Sequence, residues 1–180
     1  MPFTPKALLG LGILCAAGAV SSGAQAAGIE RVPSTYPNSP ILQAVTLPPS
    51  SQLTYVSGIL PDPVDPKAGK DDLHAAGSTE QQTVAVFRKI EAVLAQRGLT
   101  LGDVVKLNVY LVADPAKGGR LDFDGLQAGF RQFFGTDKQP LKPARTTVQV
   151  AGLVLPGALI EVEAIAATAP DTTPTAAAKH

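Results

Sequence analysis

A chain of 180 residues with 15 Lys and Arg against 15 Asp and Glu, few Tyr and Phe and no Trp has neither a basic stripe nor base-stacking platforms, which argues against a nucleic-acid partner. Its single cysteine, Cys15, lies in an N-terminal apolar stretch, so a chain shortened past that stretch has no disulfide, thiol nucleophile or thiolate ligand. The remaining length, about 150 residues, suits one domain with a core rather than two.

Residues 1–26 read as a secretory signal: Lys6, an apolar run from Ala7 to Val20, then Ala24-Gln25-Ala26 as a cleavage site. The run is interrupted by Gly10, Gly12 and Gly18 and is shorter than the ~20 residues that span a bilayer. Bulky Leu14 before Cys15 argues against lipid attachment. Export to the periplasm or beyond is expected, with no membrane contact after cleavage.

Residues 27–39, with Pro33 and Pro37, form an extended lead-in to a domain over 40–167. The β-branched and aromatic run Leu53–Ser57 is a strand that Gly58 and Pro61 end. In the loop that follows, Asp62, Asp65, Asp71 and Asp72 lack calcium-loop spacing and alternate with Lys67 and Lys70, as solvated residues do. A helix starts at Ser78 or Thr79, with Gln81 or Gln82 as capping-box partner, buries Val84, Phe87, Ile90 and Leu94, and stops at Gly98.

Val104–Val112 alternates as a strand, with Val105, Leu107, Val109 and Leu111 on one face and Lys106, Asn108 and Tyr110 on the other. A second helix, roughly Leu121 to Phe134, offers Phe123, Leu126, Phe130, Phe133 and Phe134 to the core, and Gly135 closes it. Strands over Ala144–Val150 and Ala158–Ala167 flank a loop with Gly152, Pro156 and Gly157; residues 168–180, rich in Ala, Thr and Pro, read as a disordered tail. The order implies an α+β domain, one mixed sheet with two helices on one face.

If the last two strands pair as an antiparallel hairpin with Val150 opposite Ala158, Thr147 faces Glu161 and Arg145 faces Glu163. Arg145, Thr147, Gln149, Glu161 and Glu163 then share the face away from the helices, together with apolar Leu159 and Ile165, while Val148, Val150, Ile160 and Val162 meet the helices. Arg145 and Glu161 become diagonal neighbours. From spacing alone, a cross-strand salt bridge and a ligand site are equally open. A mixed apolar and charged face fits an oligomer contact bearing a cleft. His74 and His180, in a loop and the tail, offer no basis for a histidine triad or zinc site.

The segment Pro143-Ala144-Arg145-Thr146-Thr147-Val148-Gln149-Val150-Ala151-Gly152-Leu153, followed by Leu159-Ile160-Glu161-Val162-Glu163-Ala164-Ile165-Ala166, resembles the C-terminal signature of the RidA family, also called YjgF-like or L-PSP endoribonuclease-like proteins. Tyr55-Val56-Ser57-Gly58 and Gly98-Leu99-Thr100-Leu101-Gly102-Asp103 extend the likeness, which covers roughly Asn38 to Ala167. The resemblance implies a chorismate-mutase-like α+β fold, a homotrimer with clefts between subunits, and hydrolysis of 2-aminoacrylate-type enamines and 2-imino acids to 2-keto acids and ammonia without cofactor or metal. By the same resemblance Arg145 binds the substrate carboxylate, Glu161 sits beside the attacking water, and Ser57, Gly58, Thr147 and Gln127 line the cleft. Two positions depart from many deaminases of the family: Ile41 stands where a tyrosine is common and Gln127 where an asparagine is. The alternative function is a small-carboxylate binder or chaperone-like protein using the same fold without catalysis.

Overall fold

The computed structural model describes residues 28–72 and 74–170. The segment 1–26, expected to be a secretory signal, and the expected tail from 171 onward lie outside the described residues. Six strands and two helices follow one another as β1 (Glu30–Pro33), β2 (Leu42–Thr46), β3 (Gln52–Ile59), α1 (Thr79–Ala95), β4 (Val104–Val112), α2 (Phe123–Phe130), β5 (Ala144–Val150) and β6 (Ile160–Thr168). They build one mixed sheet in the order β1-β2-β5-β4-β6-β3, with α1 across β6 and β3 and α2 packed on α1. This is the expected α+β architecture.

Local chemistry accounts for the elements. Ser78 caps α1 in a full capping box: its hydroxyl accepts from the Gln81 backbone while the Gln81 side chain accepts from the Ser78 N–H. The buried stripe of α1 includes Val86, Phe87, Ile90 and Leu94, with Val84 only half-buried. The second helix is shorter than expected, because Asp122 caps it and its regular turns end at Phe130. Phe87 stands edge-on to Phe130 and Phe134 at 5.7 and 5.4 Å, and these rings join the core that Leu107, Val109, Leu111, Ile160 and Val162 form beneath the helices.

Two strands escaped the reading of the sequence. The lead-in contains β1, which pairs antiparallel with β2, and Leu42 of β2 meets Ala144 of β5. Arg31 secures β1: its guanidinium donates to the carbonyls of Gly102, Val104 and Lys142 at 2.8, 3.2 and 2.6 Å. The strand that completes the sheet also runs on to Thr168, one residue into the segment expected to be tail. In the acidic loop, Asp62 pairs with Lys89 at 2.7 Å and Asp65 accepts from the Lys67 backbone.

The expected hairpin is not formed. Strand β4 lies between β5 and β6, parallel to the first and antiparallel to the second. Because Leu107 is level with Arg145 and Val109 with Thr147, these two polar residues point to the helix side, and Val148, level with Tyr110, points away. Glu161 is level with Tyr110 and Glu163 with Asn108, on the helix-free face. Arg145 and Glu161 therefore occupy opposite faces of the sheet, and neither a salt bridge nor a shared site joins them within one chain. Leu159, expected on the open face, is buried at 8% exposure just before β6 begins.

Candidate active site

The described chain presents two groups of the expected site residues, one on each face of the sheet. On the helix side, Arg145 rises from β5 under the flank of α2. Its Nη2 donates to Gln127 Oε1 at 2.7 Å, and its guanidinium carbon sits 4.5 Å from the centroid of the Phe130 ring and 5.7 Å from that of Phe123. Phe123, Gln127 and Phe130 follow at i, i+4 and i+7, so one short helical face supplies both aromatic walls and the amide.

The Nε and Nη1 atoms of Arg145 and the hydroxyl of Thr147 are buried with no hydrogen-bond partner among the described residues. Buried donors without acceptors are costly, and a guanidinium that keeps them on an otherwise apolar wall is ready for an anion. Burial lowers Arg145 from its usual value to about 10, and the charge of Arg131 at the end of α2 adds to the drop. It remains a cation at neutral pH. A planar carboxylate would supply the missing acceptors and offset the desolvated charge together.

On the opposite face, β3 and β6 form the second group. The pairing passes from Val56↔Ala164 to Ile59↔Val162, so Ser57 and Gly58 together oppose one residue in a β-bulge. Gly58 lies directly against Glu161, and a Cβ there would collide with the carboxylate head. The side chains of Tyr110 and Asn108 donate to Glu163 Oε2 at 2.9 and 3.2 Å, and the bond to Glu163 raises the Tyr110 phenol above its ordinary range. Ser57, Lys106, Asn108 and Glu163 border a shallow groove of about 330 Å³ on this face.

The structure thus joins Arg145, Gln127 and Thr147 on one side and Ser57, Gly58 and Glu161 on the other. Ile41, half-buried, packs against the core beside the start of β2. Phe123 and Phe130, read from the sequence as plain core, are the groups it missed. Phe123 is in fact exposed, and its spacing to Gln127 was the available signal.

A six-stranded mixed sheet with two helices on one face, and a half-buried arginine facing an aromatic wall, define a class of small α+β domains. The chain belongs to the endoribonuclease L-PSP family, whose profile matches residues 35–168. It is 34% identical over 130 residues to a RutC family protein of Pyrococcus abyssi, covering 72% of this chain and 87% of that protein. A 2-iminobutanoate/2-iminopropanoate deaminase of Salmonella typhimurium is 34% identical over 127 residues, covering 71% of this chain and 86% of the relative. Among solved structures, a conserved Rid family protein of unknown function from Yersinia pestis aligns with a TM-score of 0.56 at 27% identity, covering 75% of this chain and 94% of its own.

Proposed function

We propose that this protein hydrolyses small 2-imino acids and their enamine tautomers to 2-keto acids and ammonia, in clefts completed between the subunits of a homotrimer. The observation that carries the reading is the buried guanidinium of Arg145, held by Gln127 between aromatic rings with unpartnered donors. The deaminase named among the relatives supports the same chemistry.

In this reading Arg145 anchors the carboxylate as a planar multidentate donor. Glu161 takes a proton from water as it attacks the imine carbon and returns it to the nitrogen, giving the carbinolamine; it then carries the carbinolamine hydroxyl proton to the nitrogen as the C–N bond breaks, leaving keto acid and ammonia. The chain itself supplies the anchor and the acid/base. Because Arg145 and Glu161 lie on opposite faces of one sheet, the site requires Arg145, Gln127 and Thr147 from one subunit and Ser57, Gly58 and Glu161 from another.

Subunit mixing tests this directly. Arg145→Ala and Glu161→Gln proteins are each expected to be nearly inactive toward enzymatically generated 2-iminobutanoate. Co-assembled in equal amounts, they place an intact Arg145 beside an intact Glu161 in about a quarter of the clefts of a closed ring, and turnover should recover to about that fraction. No recovery would show that the two residues do not meet across a subunit boundary. Wild-type protein that releases no ammonia from such imines, but binds keto acids, would favour the non-catalytic carboxylate binder.

Export belongs to the same proposal: the chain acts outside the cytoplasm after removal of residues 1–26. Intact mass of the protein recovered from its producing cells should correspond to a chain beginning at or near Ala27, and a mature species retaining Lys6 would exclude cleavage at this site.

A further inference from the structure

The chemistry assigned to Glu161 depends on where its carboxylate is held, and two loops decide that. Residues 60–78 connect β3 to α1, and residues 151–159 lead into β6, so one loop leaves Gly58 and the other arrives at Glu161. The loops touch: the Ala75 N–H donates to the Pro156 carbonyl at 2.8 Å. Gly157 adopts φ +74°, and any Cβ on it would collide with the Ala75 carbonyl oxygen.

Beneath this junction lies Gln82, in the first turn of α1 and only 2% exposed. Its Nε2 donates to the carbonyls of Gly77 and Gly157 at 3.2 and 3.0 Å, and its Oε1 accepts from the Leu159 N–H at 2.7 Å. Leu159 precedes the first residue of β6, so its N–H has no strand partner to replace the amide. The Leu159 carbonyl, in turn, accepts from Val112 N at 3.0 Å at the end of β4. One buried amide therefore joins α1, the loop after β3 and the segment two residues ahead of Glu161. A glutamine serving only to satisfy its own helix end would not bond residues 75 and 77 positions away.

We infer that Gln82 is a positioning residue for Glu161, setting the separation of the Gly58 bulge and the start of β6 at which the carboxylate meets the reacting carbon. This inference rests on the hydrolase reading above. The amide forms no part of the Arg145 group, so its removal should act on turnover and not on capture of the carboxylate.

The test is Gln82→Met, close in size but unable to bond, with imine turnover, pyruvate calorimetry and thermal melting measured on the full assembly beside wild type. The expected result is a kcat lower by about tenfold or more, as small misplacements of reacting groups produce, with pyruvate affinity within about twofold of wild type. Gly157→Ala is the second variant. It leaves Gln82 intact but forces the loops apart, and it should show the same split even if Gln82→Met does not fold. Unchanged kcat in either folded variant, or a parallel loss of pyruvate affinity, overturns the inference, as does failure of both to fold, which would make the junction a folding element. Absence of turnover in the wild type itself overturns the hydrolase reading, and the inference with it.

Discussion

Arg145 is held with its Nε and Nη1 buried and without a hydrogen-bond partner among the described residues. Burial holds its guanidinium at about 10, below its value in the unfolded chain, so above about 10 the unfolded chain binds more protons and stability rises with pH. Below about 10 the buried charge weighs against the empty fold. A bound carboxylate offsets it, so pyruvate should raise the melting temperature at neutral pH, and its affinity should fall as pH passes through about 10. Arg145→Lys keeps a charge but loses the planar fork and the stacking on Phe130, so pyruvate binding should weaken even though net charge is unchanged. Calorimetry across that pH range, on both proteins, checks the two expectations. Glu161 should behave differently: Glu161→Gln is expected to bind pyruvate as before while hydrolysis falls by roughly 10²–10⁴-fold. Gly58→Ala makes the complementary change, because the new methyl meets the flexible carboxylate head and displaces it. Turnover should drop there with little change in melting temperature, and an unaltered kcat would mean that the position of the Glu161 head does not matter.

The strands show how much of this was legible from the chain. The limits of β4 could be read from the sequence, because Leu107, Val109 and Leu111 alternate with Asn108 and Tyr110 over a core on one side; only at its start does an irregular register put Val104, and not Val105, into the core cluster. The limits of β5 were equally plain, but not its partners or its facing. Thr147 and Gln149 against Val148 and Val150 suggest that valines point inward, and consecutive strands suggest a hairpin. The facing differs because α2 lays Phe123, Gln127 and Phe130 over Arg145, so Arg145 and Thr147 face the helix and Val148 does not. The hairpin does not form because β4 takes the place between β5 and β6. Strand β1 was hidden because Pro33 and short polar neighbours mask a four-residue strand whose anchoring comes from Arg31, a contact 71 to 111 residues distant. The site residues were found by their resemblance to a family signature; their division between two faces was not visible until β4 took its place between β5 and β6.

Under the proposed hydrolysis, that division makes assembly part of the chemistry. On the helix-free face Tyr55 is 71% exposed and Leu53 and Val148 each 43%, and with half-buried Ile165 they form an apolar area around the carboxylates of Glu161 and Glu163. Exposed aromatic and branched side chains gathered on one sheet face favour burial against another subunit. A second chain placed there would bring its own surface to Glu161, and the closed arrangement with three copies has three equivalent clefts. Replacing Val148 with Asp puts a charge in the middle of this face without touching the core under the helices, so the monomer should stay folded while the ring comes apart. Light scattering should then report a monomer where a trimer is expected of the wild type. The monomer still contains Arg145, Gln127, Phe123 and Phe130 on its own helix side, and it should retain weakened pyruvate binding. It no longer has a Glu161 opposite that anchor, and imine turnover should be lost far more completely than binding. A Val148→Asp protein that is monomeric and fully active would show that turnover does not need Arg145 and Glu161 in one cleft and would remove the intersubunit site; a wild-type protein that is monomeric at micromolar concentration would remove it too.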